Sequence, residues 1–311
     1  MNNIQPKKHL WHLQELLGAL SDDPVGLIDR ACSVYTLGVE HIARQIADDP
    51  NHKIIMLAGP SGSGKTTTAN VLRQALKQHK IDSAVVSLDD FYLGQRRAPM
   101  LKNGEPDYES VYALNIPLLK QCLQDLCQRN ECLLPKFDFP NSKPFDKKVP
   151  LKLNKGDLII FEGIHALNPL ILDHLPTEHI TKIYVSVETT VFNSSDVLIS
   201  PREIRLARRL VRDSIFRGAD ALKTLTMWTG VIEGEDKYLL PYKNSVDYTI
   251  STFHEFEPSV LKPYLLPLLE GLPFDAPNYA LAMDLKADYG LFPALNRELL
   301  GDDCLIHEFI G

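Results

Sequence analysis

Residues 59–66 of this 311-residue chain read Gly-Pro-Ser-Gly-Ser-Gly-Lys-Thr, which fits the pattern G-x-x-x-x-G-K-[ST] at every required position. The apolar run at 54–58 before it predicts a buried strand. Residues 65–80 after it show helical spacing, with Ala69 and Leu72 among the apolar positions. In such a strand–turn–helix unit, backbone N–H groups and the positive end of the helix dipole surround a phosphate. We therefore expect the chain to bind a nucleoside triphosphate.

The side chains of this loop, called the P-loop below, suit that ligand. The Lys65 ammonium can reach the terminal phosphates, and the Thr66 hydroxyl can ligate magnesium. The candidate nucleotide-binding residues are Gly59, Ser61, Gly62, Ser63, Gly64, Lys65, Thr66 and Thr67. Because GTPases, motors and small-molecule kinases share such loops, the loop alone leaves the reaction open.

Further short apolar runs predict strands at 84–88, 158–161, 183–187 and 248–250. Helical patterns separate several of them, notably those at 114–127 and 203–216. Strands that are apolar throughout and alternate with helices are typical of a parallel sheet covered on both faces. The predicted fold class is therefore α/β, a P-loop NTPase whose parallel sheet is flanked by helices.

The pattern along the chain predicts three segments. Residues 1–51 form a helical N-terminal extension, with one helix starting near Leu10, a break at 21–24, and a second helix ended by a stop signal at 48–51. Residues 52–257 form the P-loop core. Residues 258–311 are rich in proline and predict a C-terminal extension that packs on the core and ends in the apolar segment 305–310.

The composition is that of an ordinary soluble globular protein, with 44% hydrophobic and 23% charged residues. A formal net charge of -7 argues against a chain that coats nucleic acid or an anionic membrane. No stretch approaches the roughly 18 apolar residues of a spanning helix, and the amino terminus shows no secretory signal pattern. Five cysteines, an odd number, indicate reduced thiols, so we expect a cytoplasmic protein.

Acidic residues follow two of the predicted strands. Asp89 comes directly after the strand at 84–88, and Glu162 after the strand at 158–161. Ligands of such sheets bind at the carboxyl ends of the strands, so we expect both acids beside the P-loop. Asp89 can there take the proton of an attacking hydroxyl, and Glu162 can hold magnesium. Thr66, Asp89 and Glu162 are the candidate metal ligands, and acids that only cap turns are the alternative.

An arginine-rich helix is predicted between the last two strands. Arg205, Arg208, Arg209 and Arg212 follow the spacing i, i+3, i+4, i+7 and share one helical face. Arginine binds phosphoryl oxygens bidentately, so this face can clamp the charge that develops during phosphoryl transfer. The alternative is a solvated amphipathic face. One short basic stripe on an acidic chain does not favour a nucleic-acid partner.

Five sequence segments, taken as a set, match the motifs of one known family: GPSGSGKTTTAN, SLDDFY, PKFDFP, IIFEGIHALNP and RLARRLVRDSIFRG. They resemble the uridine kinase and phosphoribulokinase family of P-loop kinases, above all its bacterial uridine kinase-like nucleoside kinases. The resemblance runs from about Glu40 to the C-terminus. It implies a kinase core with a mobile lid at about 200–220.

The resemblance also implies roles for residues at matching positions. ATP and magnesium are the implied cofactors, with Asp89 as the general base for the acceptor hydroxyl, and with Glu162 and Thr66 holding the metal. Lys65, Asp89, Arg205, Arg208 and Arg212 are the implied catalytic residues. The implied acceptor contacts are Tyr92, Asp107, Phe137 and Arg205, where Asp107 matches the acid that binds ribose hydroxyls.

One segment departs from the family pattern. Residues 137–143 lack the Tyr and the His with which uridine–cytidine kinases read the pyrimidine edge. Phe137 can still stack on a base, and Asn141 can still hydrogen-bond one. The leading interpretation is ATP-dependent phosphorylation of a small-molecule hydroxyl, with the 5′-hydroxyl of a nucleoside such as uridine as the first candidate.

Two other interpretations remain open. A P-loop kinase of a sugar phosphate, pantothenate or glycerate fits the basic residues Arg96, Arg97 and Lys136. A nucleotide-binding regulatory protein without turnover is the third, although the intact Lys65 and Asp89 argue against it. We expect a small-molecule acceptor and no nucleic-acid or membrane partner. The preference for ATP over GTP and the formation of a homo-oligomer stay open.

Overall fold

The computed structural model describes residues 9–49, 53–101, 104, 106–138, 141–173, 175 and 180–311. Residues 50–51, which end the predicted stop signal, and residues 139–140, inside the segment 137–143, lie outside this description. The strands in the described part are β1 (His9–His12), β2 (Ile54–Ala58), β3 (Ser83–Ser87), β4 (Glu131–Leu134), β5 (Phe137–Asp138), β6 (Lys143–Pro144), β7 (Val149–Lys152), β8 (Leu158–Glu162), β9 (Ile180–Ser186), β10 (Thr189–Asn193), β11 (Asp196–Ile199) and β12 (Tyr248–Ser251).

The α-helices in the same part of the chain are α1 (Leu13–Asp22), α2 (Pro24–Ala47), α3 (Lys65–Gln78), α4 (Ile116–Arg129), α5 (Pro169–Leu172), α6 (Pro201–Arg217), α7 (Ala221–Tyr238), α8 (Glu257–Leu268), α9 (Tyr279–Gly290) and α10 (His307–Ile310). Local signals fix several of their ends. Asp23 lies between α1 and α2 and caps the N-terminus of α2, because its carboxylate accepts from the Gly26 N–H, as expected of Asp before Pro.

The central sheet has five parallel strands in the order β12-β9-β2-β8-β3. The strand that leads into the P-loop, β2, lies in the middle, and β8 separates it from β3. All five strands predicted for this sheet are present, with helices on both faces, so the predicted α/β fold is confirmed. This order brings the carboxyl ends of β2, β8 and β3 side by side.

Two apolar clusters cover the two faces of this sheet. Every residue of β2 is buried, and successive residues point to opposite faces, so Ile55 and Leu57 join one cluster while Ile54 and Met56 join the other. The helices α2, α3, α6 and α8 supply the first cluster, and α4 and α5 supply the second. Burial on both faces explains why the strand reads as a continuous apolar run.

The N-terminal segment differs from its prediction. A helix was expected to begin near Leu10, but residues His9–His12 form β1, which pairs in parallel with β10, and α1 begins only at Leu13. The prediction was wrong because the helical apolar spacing of this stretch is overridden by pairing with a strand some 180 residues later in the chain.

Other elements carry no strong sequence signal. The pairs β10–β11, β4–β7 and β5–β6 are short antiparallel ladders outside the central sheet, and α7 is an 18-residue helix that was not predicted.

The five cysteines are free thiols. None of the helices in the described ranges combines the length and apolar character needed to cross a membrane.

Candidate active site

Two glycines give the P-loop its shape. Gly62 and Gly64 have φ angles of 72° and 80°, in the left-handed region that favours glycine. The backbone of α6 also lies close, because a Cβ on Gly62 would be 2.7 Å from the carbonyl oxygen of Arg205. Gly64 is the N-cap of α3, and the first-turn N–H groups of a helix have no partners inside the helix. The segment therefore carries backbone donors whose acceptors must come from outside the helix.

Gly59 offers a test of this tight geometry. A methyl group there would lie 2.1 Å from the carbonyl oxygen of Val185 and 2.7 Å from the Ser63 hydroxyl. We expect Gly59→Ala to displace the loop and to weaken ATP binding by roughly 10- to 100-fold, the loss of one or two charge-assisted hydrogen bonds. Isothermal titration calorimetry with magnesium–ATP measures this.

The matched control for that substitution is Gly38→Ala, on the exposed side of α2, where nothing lies within 4 Å of the added methyl group. It should bind ATP as the parent protein does and gain up to about 1 kcal/mol of stability from helix propensity. Equal ATP affinity in the Gly59→Ala and Gly38→Ala proteins would contradict the close approach at Gly59.

The P-loop is already surrounded by partners from distant parts of the chain. The Lys65 ammonium donates to the Pro60 carbonyl at 2.9 Å, so it folds back over the loop. The Ser61 N–H donates to the Glu235 carboxylate at 3.1 Å, and the Thr67 N–H donates to the Glu308 carboxylate at 3.0 Å. Two backbone donors of the nucleotide-binding segment are thus bonded to carboxylates.

The two predicted acids lie on adjacent strands. Glu162 is the last residue of β8, where it pairs in register with Leu57 of β2 and Ser87 of β3. Asp89 follows β3 in a short 3₁₀ turn, Leu88–Phe91, and its own N–H donates to the Ser87 hydroxyl at 3.4 Å. Strand order and register therefore place both carboxylates at the P-loop edge of the sheet.

Electrostatics tie these acids to the P-loop lysine. Burial raises the pKa of Glu162 to about 7, together with the charge of Asp89 and against the opposing effect of Lys65. Burial likewise raises the pKa of Asp89, which Lys65 partly offsets. The pKa of Lys65 is lowered by burial, although Glu162 and Asp89 act to raise it. Two carboxylates and one ammonium are therefore coupled electrostatically at one sheet edge.

This group of side chains suits a magnesium ion. The Thr66 hydroxyl and the carboxylates of Asp89 and Glu162 are hard oxygen donors, which Mg²⁺ prefers. A divalent cation would also offset the burial of the Glu162 carboxylate and its repulsion by Asp89, which together raise the pKa of Glu162. No three His, Cys, Asp or Glu residues in the described ranges converge into a metal site of their own. Magnesium in kinases takes one or two carboxylates and completes its shell with phosphates and water.

The arginine-rich helix α6 lies directly across the P-loop. It starts with a capping box, in which Ser200 and Glu203 bond to each other's backbone N–H groups. Arg205 donates to the Ser61 carbonyl at 2.9 Å and forms a bidentate pair with Glu235. The solvated amphipathic face that was the alternative is wrong for this helix, because Arg205 is only 3% exposed.

Arg208 is enclosed completely, with 0% exposure. Its guanidinium forms a bidentate pair with Glu257 at 2.5 and 2.7 Å. The remaining donors reach the Thr252 hydroxyl and carbonyl, and the Gly62 carbonyl at 3.1 Å. All five N–H groups of the guanidinium donate hydrogen bonds, and one of them binds Arg208 to the P-loop backbone at Gly62. The arrangement therefore differs from the row of phosphate-binding arginines that the helical spacing predicts.

The other arginines of α6 differ among themselves. Arg209 donates to the Ser61 hydroxyl at 2.8 Å and pairs with Asp213, whereas Arg212 pairs only with Asp213 in the described part of the chain. Against the raising effect of burial, Arg217 and Arg212 both act to lower the pKa of Asp89, so their charges face the reaction centre. Among the predicted arginines, Arg212 is thus one whose charge acts on the Asp89 carboxylate.

The predicted acceptor residues form an aromatic cluster next to Asp89. Tyr92 makes edge contacts with both Tyr108 and Phe137, at centroid distances of 5.6 Å, and its hydroxyl donates to the Tyr108 carbonyl. Asp107 precedes Tyr108 and accepts from the Ser110 N–H at 3.1 Å. Tyr92, Phe137 and the Asp107 loop are thus brought together, as the family resemblance implies.

Lys136 and the two arginines of the alternative acceptor site take different positions. The Lys136 ammonium pairs with Asp90, whose other carboxylate oxygen accepts from the Phe137 N–H. Arg96 and Arg97 are exposed in a turn, and Arg97 lines a small cleft with Tyr92 and Asp90. Lys136 therefore anchors β5, and Arg97 is the basic side chain of this set that borders the acceptor region.

Three polar residues near this region were missed. Burial raises the pKa of Glu109 to about 7, and burial lowers the pKa of His165 to about 4, so that imidazole is neutral. The His165 ring is buried and meets that of Tyr238 edge-on at 5.8 Å. The position of His165 in EGIH, three residues after Glu162, was the available signal. No local pattern marks Glu235, which bonds the P-loop from α7.

Comparison with known proteins fits this geometry. The sequence pattern of the phosphoribulokinase / uridine kinase family matches residues 54–257, well over half of the chain. The chain belongs to this family. Membership supports a phosphotransferase with ATP as donor and a small-molecule acceptor, and it accounts for the P-loop, Asp89 and Glu162 at one sheet edge.

Individual relatives of this family are distant. A uridine kinase of Staphylococcus aureus (strain JH9) is 29% identical over 198 residues, which cover 63% of this chain and 86% of that protein. Uridine kinase-like protein 5 of Arabidopsis thaliana is 28% identical over 199 residues, and the match spans 63% of this chain but only 38% of that protein. The solved structure of phosphoribulokinase from Rhodobacter spheroides aligns over 84% of this chain and 99% of its own, with 13% identity and a TM-score of 0.42.

Proposed function

We propose that this protein transfers the γ-phosphoryl group of ATP to the 5′-hydroxyl of a nucleoside, with uridine as the first candidate. The observation that carries the proposal is the convergence of Lys65, Asp89 and Glu162 at one sheet edge, where their charges act on one another. Phosphoryl transfer to an alcohol requires these three functions: phosphate charge stabilisation, a base for the hydroxyl, and a carboxylate for magnesium.

The reaction divides between these residues by chemistry. Asp89 accepts the proton of the attacking hydroxyl, and its raised pKa makes it a stronger base than an exposed aspartate. Lys65 and Arg212 stabilise the charge that spreads over the transferring oxygens. Magnesium, when bound to Glu162 and Thr66, supplies further neutralisation of phosphate charge.

The acceptor side supports a nucleoside by its mixture of flat and polar groups. Phe137 and Tyr92 present aromatic faces and edges against which a base can pack. Asp107 lies one residue from Tyr108 in the same loop and is a candidate partner for ribose hydroxyls. The neutral, buried His165 adds a hydrogen-bonding group near this loop.

A panel of acceptors tests the proposal. Purified protein is incubated with magnesium–ATP and uridine, cytidine or 5′-deoxyuridine, and ADP release is followed by a coupled assay. We expect release with uridine and none above background with 5′-deoxyuridine, which lacks the reacting hydroxyl. Folded protein that binds ATP but shows no nucleoside-dependent release would overturn the nucleoside acceptor.

An anionic acceptor is the second candidate, and the position of Arg97 in the cleft beside Tyr92 favours it. The same assay therefore includes a sugar phosphate, pantothenate and glycerate. A preferred acceptor with a phosphate or carboxylate group, together with loss of that preference in Arg97→Ala, would replace the nucleoside by this class.

A further inference from the structure

The last residues of the chain lie on the P-loop, although the family match ends at residue 257. The Leu305 side chain is so close to Gly64 that a Cβ there would lie 2.9 Å from it. The Phe309 ring stacks under the Arg208 guanidinium, with 4.9 Å between Cζ and the ring centre. Leu305, Phe309 and Ile310 are all buried, so this C-terminal segment, residues 305–311, is anchored by apolar contacts.

One polar side chain of the C-terminal segment points at the nucleotide site. The Glu308 carboxylate accepts from the Thr67 N–H at 3.0 Å. Thr67 is the third residue after the Gly64 N-cap, in the first turn of α3, where backbone donors have no intrahelical partner. Glu308 forms no ion pair with any lysine or arginine in the described part of the chain, so the helix terminus is what holds its charge.

The same backbone donor belongs to the phosphate-binding set of the P-loop. Phosphate binds at such a helix start because first-turn N–H groups and the helix dipole both favour an anion. A carboxylate meets the same requirement, and one N–H cannot donate fully to two anions. Burial lowers the pKa of Lys65, and Glu308 opposes this effect after the stronger Glu162 and Asp89, so the charge of Glu308 acts on the P-loop lysine.

We propose that Glu308 is a resident occupant of a phosphate subsite, and that ATP must displace its carboxylate from the Thr67 N–H in order to bind. The proposal rests on the proposed ATP site at the P-loop. It makes the C-terminal segment a built-in competitor of the nucleotide: the protein without ATP keeps its segment docked, and each binding event releases Glu308 from the loop.

Competition from the Glu308 carboxylate should weaken ATP binding by about the free energy of one charge-assisted hydrogen bond. We expect Glu308→Ala to lower the dissociation constant of magnesium–ATP roughly tenfold, because it removes both the competing acceptor and the negative charge. Glu308→Gln keeps an acceptor but no charge, and its affinity should fall between those of the parent and Glu308→Ala. Calorimetry without an acceptor measures binding alone.

The matched control is Asp302→Asn, an exposed acid just before the same segment. It removes one negative charge without touching the P-loop and should leave the dissociation constant within about twofold of the parent, since exposed charges are screened. Thermal denaturation checks folding, which the buried Leu305, Phe309 and Ile310 should preserve in all variants.

A second readout follows the Thr67 amide itself. Hydrogen exchange of the α3 N-terminus should be faster in Glu308→Ala than in the parent without nucleotide, and saturating ATP should give both proteins the same protection. Unchanged or weaker ATP affinity in Glu308→Ala, or an equal gain in Asp302→Asn, would overturn the competition while leaving the ATP site intact. Failure of every variant and of the parent to bind ATP at millimolar concentration would overturn both.

Discussion

Asp89→Asn should bind ATP as tightly as the parent protein and lose about 10²- to 10⁴-fold in kcat, the usual contribution of a positioned general base. Asparagine has nearly the same shape but cannot accept the hydroxyl proton. The substitution also removes one of the two carboxylates that repel each other in the site, so the electrostatic repulsion of the nucleotide phosphates should not increase. ADP release in the acceptor assay gives kcat, and calorimetry gives the ATP affinity.

Two neighbouring variants separate the role of Asp89 from general damage. Asp90→Asn changes the adjacent acid, which bonds Lys136 and the Phe137 N–H, so it should raise the KM for the acceptor and largely keep kcat. Lys65→Ala should weaken both ATP binding and turnover. If Asp89→Asn retained the parent kcat, Asp89 would not be the base. If the parent protein bound ATP without any turnover, the regulatory interpretation would replace the kinase.

The parts of the site that depend on local rules were predictable. The residues from Gly59 to Thr66 form a contiguous motif that can be recognised in the sequence. Asp89 and Glu162 could be located because the ends of parallel strands meet at one edge. Both predictions needed only short-range patterns and the typical architecture of an α/β sheet. Strand order then made Glu162 the direct neighbour of both β2 and β3.

The parts that depend on long-range contacts were not predictable. Helical spacing placed Arg205, Arg208 and Arg212 on one face, but it cannot show that α8 supplies Glu257 to enclose Arg208. Glu235 and Glu308 reach the P-loop from 174 and 241 residues away, and no sequence period marks them. Hence the sequence could name the residues that we propose to contact phosphate, whereas it could not name Glu235 and Glu308, which bond to the loop.

Breaking the fully buried pair of Arg208 and Glu257 should cost much stability. Glu257→Ala leaves a guanidinium of 0% exposure without its carboxylate, which costs about 3–5 kcal/mol in buried pairs of this kind. That is a large share of the about 5–15 kcal/mol that stabilises a typical domain. Because Arg208 also donates to the Gly62 carbonyl, ATP affinity should fall as well. Guanidinium unfolding measures the first effect and calorimetry the second.

A surface pair provides the comparison that makes this result decisive. Arg202 and Asp236 also pair, but both side chains are nearly half exposed, so Asp236→Ala should cost less than about 1 kcal/mol. Replacing both buried partners, Arg208→Met with Glu257→Leu, should restore much of the stability, because no charge is then left unpaired. It should not restore ATP affinity, since the donor to Gly62 is gone. A Glu257→Ala protein as stable as Asp236→Ala would contradict the cost of breaking the buried pair. A double variant that binds ATP like the parent would show that Arg208 does not position the P-loop.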